Sequence, residues 1–505
     1  MIDRKYILNP YYIMREDKHR VLFTESGGYF KIPSEFAEDA IISMIHPVFA
    51  IVLTFFDGRK TYEESISGAT EYLKASRDQV EEIVAKLIEN KGRSGFDMQG
   101  YLSEFPKNVL VEYKAEYEFR DYDPEVFASI ETLDYKTQRL FNGPLDLNIL
   151  VNTICATDCE YCYVDRRVKQ NCKIPIERFI ELIDEAKAIG VRKVDIAGTE
   201  IFLYKHWDVL VKHLLDNGYY PYLSTKLPLA KERIDRLYEV GIRHLQVSMD
   251  SLDSETINRL WGVKVEDYMV KMLASLKMVG EKGIELQVNT VVTRTNYSIE
   301  NLEKMFLELN NIPMLKEVLV NEAGPSTAKS EKEFKAFRIS LEQSKKMGEF
   351  VEEMNKSKKL NYFIGYSDGA HEDDYINDYS VKKAKFESRA SCPAGTRSMC
   401  VLNDGQVTIC EELYWHKEFL IGNVLDQSIM DIWNSDRAKN FGNLSQNDFT
   451  EDSTCSSCSK FYTCKGVDGG VCWSNIVQAY GDENWMFADP ACPNAPEPIY
   501  EIYSK

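Results

Sequence analysis

The chain has 505 residues, 44% hydrophobic and 28% charged, with a formal net charge of −19. At roughly 100–200 residues per domain it holds about two to four domains. The acidic balance argues against a nucleic-acid surface, which carries a basic excess, and no run of about 18 apolar residues offers a membrane span. The opening MIDRKYILNPYY lacks an apolar stretch with a small-residue cleavage site, so a cytoplasmic location is the expectation. In a reducing compartment, twelve cysteines point to metal rather than to disulfides.

Residues 1–91 read as a small α+β unit. PYYIMRE and HRVLFTE flank the turn-like EDK as a hairpin, and AIISMI (Ala40 to Ile45) is a candidate third strand. Pro47 opens the helical run PVFAIVLTFF, which stops at Asp57-Gly58, and two amphipathic helices follow caps at Thr61 and Ser76. Residues 92–143 show no clean period and read as a linker that packs on its neighbours. From 144 to 330 six apolar runs alternate with helical stretches: LDLNILVNTI, RKVDIAGTE, YYPYLSTK, IRHLQVSMDS, IELQVNTVVT and LKEVLVNEAG. Strand alternating with helix implies a parallel sheet with right-handed crossovers, and six units suit an open partial barrel, an α/β fold whose ligands bind at the carboxyl ends of the strands. Residues 331–390 read as a helical connector. Residues 391–505 are cysteine-rich, with an Asn-Asp-Gly hairpin signal in CVLNDGQVTIC.

Chemistry concentrates after the first barrel strand, where Cys155, Cys159 and Cys162 occupy eight positions. Thiolates are soft ligands for zinc or for iron–sulfur clusters. Three of them on a four-iron cluster leave one iron free to bind a cofactor, whereas a zinc site would need a fourth, distant ligand. Both readings stand on spacing alone.

CATDCEYC, a C-x3-C-x2-C motif with an aromatic before its third cysteine, resembles the radical S-adenosylmethionine (SAM) superfamily. That family's GGEP motif aligns with AGTE, where Gly198 and Glu200 persist and Thr199 replaces a glycine. The strand ends LSTK (Ser224) and VSMDS (Ser248, Asp250) resemble the positions that reach the ribose and carboxylate of SAM, and NTVVT (Asn289) the segment along the adenine. Tyr161 would help to position adenine through its backbone or else pack against the barrel. The resemblance implies that SAM chelates the open iron. One-electron cleavage then yields a 5′-deoxyadenosyl radical that abstracts a substrate hydrogen, the cofactor carrying the hard chemistry.

In the second cysteine group, C-x12-G-x4-C from Cys392 to Cys410, followed by Cys455, Cys458, Cys464, Cys472 and Cys492, resembles the SPASM extension of radical SAM proteins. The resemblance implies two auxiliary four-iron clusters with interleaved ligands. Cys392, Cys400, Cys410 and Cys472 would hold the first, and Cys455, Cys458, Cys464 and Cys492 the second, giving three [4Fe-4S] clusters in all. Seven residues separate Cys464 from Cys472 where the family usually has three. Without the upstream motif, two structural zinc sites would be the first reading. Cys172 has no place in either scheme.

The front unit resembles the leader-recognition (RRE, PqqD-like) domain of enzymes that modify ribosomal peptides, a winged-helix-like fold of three strands and three helices. The resemblance rests on the hairpin, SMIHPVFAIVL, FFDG and RKTYEES. It implies that a precursor's leader adds as a strand at about Ala40–Met44, with the third helix, about Gln79 to Glu89, as the other wall. His46 is a capping or core residue in this reading. The three modules together imply a peptide maturase, fed by an electron donor such as a flavodoxin or ferredoxin, that forms thioether or carbon–carbon crosslinks, thioethers first. A sulfatase-type maturase and a zinc-stabilised peptide-binding protein without catalysis are the alternatives.

Overall fold

The computed structural model describes residues 3–26, 42–98, 100–117, 119–164, 171–263, 267–369, 379–389, 392–442, 444–462, 464 and 471–499. The chain divides into two compact units, Met1–Leu145 with Lys187–Lys193, and Asp146–Ala186 with Val194–Lys505. No helix among the described residues is long and apolar enough to cross a membrane.

Among its described residues the first unit has eight strands: β1 (Lys5–Leu8), β2 (Tyr12–Glu16), β3 (Val21–Glu25), β4 (Ile42–Ile45), β5 (Asp57–Thr61), β6 (Ser94–Met98), β7 (Tyr101–Phe105) and β8 (Leu110–Glu112). The expected hairpin is β2–β3, with β4 antiparallel to β3; Ala40 and Ile41 of the expected third strand lie outside the described residues. Helices Pro47–Thr54, Tyr62–Leu73 and Arg77–Leu87 follow, the last two with capping boxes at Thr61 and Ser76. The His46 imidazole caps the first by accepting from Val48 N.

Residues 92–143 hold strands of their own and pack on their neighbours. β8 returns to pair with β1, and Phe96 and Phe105 pack in the same core as Phe49. Fully buried Arg20 bonds Asp17 at 2.9 Å and donates to Arg139 O at 3.0 Å, and Asp17 accepts from Phe141 N and Asn142 N. These bonds lack any periodic signature because they run between distant loops. They also bear on the edge expected to take a leader. Tyr101 OH donates to Met44 O at 2.8 Å, and Ser103 Oγ accepts from His46 N at 3.1 Å. The hairpin β6–β7 thus caps β4 with side chains.

The second unit contains the six anticipated barrel strands: β9 (Asp146–Leu150), β10 (Lys193–Ala197), β11 (Ser224–Thr225), β12 (His244–Ser248), β13 (Glu285–Val292) and β14 (Leu315–Glu322). Helices between them bury apolar stripes at three- and four-residue spacing, such as Leu302, Met305, Phe306 and Leu309 on Ile299–Leu309. The region 331–390 departs from a purely helical connector: β15 (Phe363–Ser367) adds parallel to β14 as a seventh strand. Strands β11 to β15 form one parallel sheet. The other sheet runs β10–β9–β16–β17–β18, with β16 (Ser398–Val401), β17 (Gln406–Thr408) and β18 (Leu420–Asn423) drawn from the C-terminal region. Here β16 lies parallel to β9, and Leu402–Gln406 is the Asn-Asp-Gly hairpin turn, with Gly405 at φ +93°.

Helix Tyr268–Glu281 approaches the loop before β14 so closely that a Cβ on Gly280 would lie 2.0 Å from Pro313 O. Alanine there gains about 1 kcal/mol of helix propensity but forces backbone apart at a cost of about 1–3 kcal/mol. We expect Gly280→Ala to lower the denaturant midpoint, although the same change stabilises an exposed helix.

Candidate active site

Strand β9 delivers the chain into the three-cysteine loop. Asn152 Oδ1 accepts from Ile154 N at 2.9 Å, turning the backbone. The loop is then clipped to the end of helix Ser254–Trp261: Asp158 N donates to Trp261 O at 2.7 Å and Glu160 N to Leu260 O at 3.0 Å. Gly262, at φ +64°, ends that helix where a Cβ would meet Asp158 O at 3.2 Å. Glu160 Oε1 accepts from Thr293 OH at 2.9 Å, a further tether. Thr157 Oγ1 stands 3.5 Å from Cys155 Sγ and 3.3 Å from Cys159 Sγ, spacing the two sulfurs. Cys159 is the most buried of the three, and burial pushes its thiol up while the Lys226 ammonium opposes that shift.

All three cysteines line a cavity of about 470 Å³ at the carboxyl ends of the strands. Among the described residues no three His, Cys, Asp or Glu side chains converge to hold a single metal ion. Three soft thiolates lining one cavity fit a four-iron cluster that keeps one iron open.

The same cavity is lined by Tyr161, Gly198, Thr199, Glu200, Ser224, Ser248 and Asn289. Gly198 has φ +95°, and its missing Cβ would lie 2.0 Å from Leu150 Cδ1, so the turn after β10 needs glycine. Thr199 OH donates to both Asn152 O and Asn152 Oδ1 at 2.5 Å, locking this turn to the start of the cysteine loop. Buried Glu200 accepts from Phe202 N, Thr225 OH and Lys226 N at 3.2, 2.9 and 3.1 Å. Desolvation nevertheless raises its pKa. Ser248 Oγ accepts from Gln246 Nε2 at 3.1 Å, and Asn289 Nδ2 donates to Tyr222 OH at 3.3 Å.

Asp250 is placed differently from the expectation. It is fully buried and not on the cavity wall. Its carboxylate accepts from Tyr161 OH, from Trp261 Nε1 at 2.5 Å and from Val291 N at 2.7 Å, with Lys226 Nζ 3.6 Å away. Asp250 therefore anchors the wall from behind. Sequence reasoning passed over Lys226, which closes LSTK and lines the cavity; its Nζ donates to Tyr161 OH at 2.7 Å and lies 4.3 Å from the Trp261 ring centroid. A lysine at a strand end was the available signal. Glu322 and Glu412 also line the cavity, and nothing in their local sequence marked them.

The C-terminal cysteines fall into two groups. Cys392, Cys410 and Cys472 lie near one another and near Glu412, whose charges raise their pKa values further after burial. Cys492 is raised in the same way by Cys464, Cys455 and Cys458. Gln446 Nε2 holds Cys455 O and Cys458 O at 3.1 and 2.9 Å, and Arg389 Nη2 lies 3.5 Å from Cys464 Sγ. Residues 465–470 of the long Cys464–Cys472 spacing lie outside the described residues. Cys400 is buried in β16 with Leu150, Val164, Leu402 and Tyr414, Cys162 packs against that cluster, and burial raises the Cys400 thiol with Glu411 and Cys410 adding to the shift. Cys172 donates to Ile174 O at 3.5 Å as an ordinary thiol.

Comparison with known proteins agrees with this architecture. Residues 149–309 match the radical SAM superfamily, and residues 392–459 match an iron-sulfur cluster-binding (SPASM) domain. The chain is 24% identical over 368 residues to the PqqA peptide cyclase of Granulibacter bethesdensis, covering 70% of this chain and 88% of that protein. It is 23% identical over 305 residues to the GTP 3′,8-cyclase of Helicobacter pylori, covering 58% of this chain and 94% of that one. Among solved structures, SuiB of Streptococcus suis bound to S-adenosylmethionine aligns with a TM-score of 0.63 at 17% identity, over 96% of this chain and 99% of that one. With the cysteine loop at the carboxyl ends of the barrel strands and a cysteine-rich region following the barrel in the chain, this is an enzyme of radical SAM fold with a C-terminal SPASM domain.

Proposed function

We propose that this enzyme matures a ribosomally made precursor peptide by joining two of its residues, with thioether formation as the first assignment. The observation that carries the reading is the cavity itself. It joins the three-cysteine loop, the barrel strand ends and Glu412 of the SPASM region in one space large enough for a cofactor and a peptide side chain. The similarity to a peptide cyclase, and to SuiB, which has been solved bound to precursor peptide SuiA, supports a peptide as the substrate class.

In this reading Cys155, Cys159 and Cys162 hold the SAM-binding cluster, and the two C-terminal groups hold two more, three [4Fe-4S] clusters in all. When bound, cluster and SAM supply one-electron cleavage of the sulfonium and, from it, hydrogen-atom abstraction. The protein's share is placement. The Gly198 turn presents backbone to the cofactor, Ser224, Ser248 and Asn289 offer polar atoms along one wall, and the Asp250 network holds Tyr161 and Lys226 in fixed orientation. The front unit serves as the leader-recognition domain. A leader strand adding to β4 replaces the Tyr101 and Ser103 bonds with ladder bonds of its own. Leader capture raises the local concentration of the core peptide at the barrel.

The test is anaerobic reconstitution with iron and sulfide, followed by SAM, dithionite and candidate precursor peptides, taken from any short Cys-containing reading frames found beside the gene. The expected result is 5′-deoxyadenosine together with a peptide lighter by two hydrogen atoms. Alkylation of cysteines then separates the bond types, because a thioether consumes a thiol and a carbon–carbon bond does not. Deoxyadenosine without any change in peptide mass would remove the peptide assignment.

A further inference from the structure

A second cavity, of about 650 Å³, lies in the C-terminal region, and its lining shares no residue with the barrel cavity. Trp415, Phe419 and Trp485 supply its rings, and Glu418, Asp482 and Glu483 its carboxylates. The rings are held by their neighbours. Trp415 Nε1 donates to Asp404 Oδ2 at 2.9 Å. Buried Phe419 meets the Trp485 ring edge-on with centroids 5.5 Å apart, and Trp473 lies 5.8 Å from Trp485. The chain enters this wall through Tyr414, whose φ of +38° and ψ of −125° mark a bulky residue far from its ordinary regions. Such strain persists only where the surrounding packing imposes it. Here it turns the chain between Glu412, on the barrel cavity, and Trp415, on this one. Charge then selects the occupant. Three carboxylates stand against one ammonium, that of Lys417, whose side chain is 90% exposed and 3.6 Å from Glu418. His416 Nδ1 lies 3.3 Å from Asp482 Oδ1, and Glu483 carries no ion pair among the described residues. Aromatic faces beside uncompensated carboxylates attract a cation and repel an anion. A guanidinium suits both, because its plane stacks on indole while its N–H fork meets carboxylate oxygens.

We infer that this cavity is a binding subsite for an arginine side chain of the peptide substrate. That the arginine belongs to a peptide rests on the proposed maturase function; the choice of a guanidinium rests on the cavity alone. Trp415 follows Glu412 by three positions, so their Cα atoms lie within about 11 Å, a span that an extended peptide covers in about three or four residues. A reacting side chain in the barrel cavity and an arginine about three or four positions away are then held at once. The second contact decides which residue of the peptide reaches the cofactor.

The experiment uses full-length, anaerobically reconstituted protein with 5-fluorotryptophan at its six tryptophan positions. The fluorine signals of Trp415 and Trp485 are assigned with Trp415→Phe and Trp485→Phe. N-acetylarginine amide is titrated without SAM or reductant, and N-acetylcitrulline amide, its neutral isostere, is the comparison. The arginine probe is expected to shift both signals saturably, with a Kd of about 1 mM for one side chain without its peptide. The citrulline probe should shift neither. Glu483 is exposed, so Glu483→Gln keeps the fold. It should weaken binding about tenfold, and Asp482→Asn combined with Glu483→Gln should abolish it. Equal shifts with both probes, no saturable shift in the wild type, or undiminished binding in the double variant each overturn the inference. Because neither SAM cleavage nor peptide turnover is read, failure of the maturase reading shows separately, as an unchanged peptide mass after reaction.

Discussion

Cys159→Ala is expected to reduce 5′-deoxyadenosine formation to background while the chain stays folded. The loop around Cys159 is held by backbone bonds from Asp158 and Glu160 to the end of helix Ser254–Trp261, and none of these uses the thiol. Removing the sulfur therefore leaves the scaffold and subtracts one of three ligands. Two thiolates do not retain a cluster against exchange with solvent, so iron should fall by one cluster's worth and the C-terminal clusters should persist. Iron assay, chromatographic detection of deoxyadenosine and the thermal midpoint together check the prediction. Turnover at the wild-type level would mean that the three-cysteine loop is not where SAM is cleaved.

Asp250→Ala is expected to be the most damaging change outside the cysteines, by about 3–5 kcal/mol, the usual cost of removing one partner from a buried ion pair. The carboxylate is fully buried and gathers Tyr161 OH, Trp261 Nε1 and Val291 N, with the Lys226 ammonium at 3.6 Å. Its loss strands three donors and leaves a cation, only slightly exposed, without its counter-charge. Asp250→Asn keeps the shape and some of the bonds, so its cost should be smaller, about 1–3 kcal/mol. Chemical denaturation reads the difference, and SAM affinity should fall in parallel because Tyr161 and Lys226 lose their fixed positions. If both substitutions proved as mild as a surface change, the network would be a bystander.

Much of this was legible before the fold was known, for reasons that differ by segment. The six barrel strands announce themselves because each apolar run is followed by a helix with its own stripe, and β13 alternates buried and half-buried residues along its whole length. The cysteine loop was legible because its spacing is local. β15 was not, because FIGYS is a five-residue run among charged helices, and its strand character comes from pairing with β14. The segment 92–143 hid its structure for a related reason, since Arg20 and β1 stabilise it from far away in sequence. Asp250 illustrates a sharper limit. Its position at a strand end was readable, but whether its carboxylate points into the cavity or beneath it depends on Trp261 and Val291, which only tertiary packing brings near.

The parallel pairing of β9 with β16 has a consequence for biosynthesis. Leu147 finds its ladder partner in Met399, about 250 residues later, so one side of the first barrel strand waits, unsatisfied, until most of the polypeptide has left the ribosome. Such long-range closure slows folding and exposes a bare strand to neighbouring chains meanwhile. The three-cysteine loop immediately follows that strand, so the sheet beneath it is complete only once the C-terminal hairpin has docked.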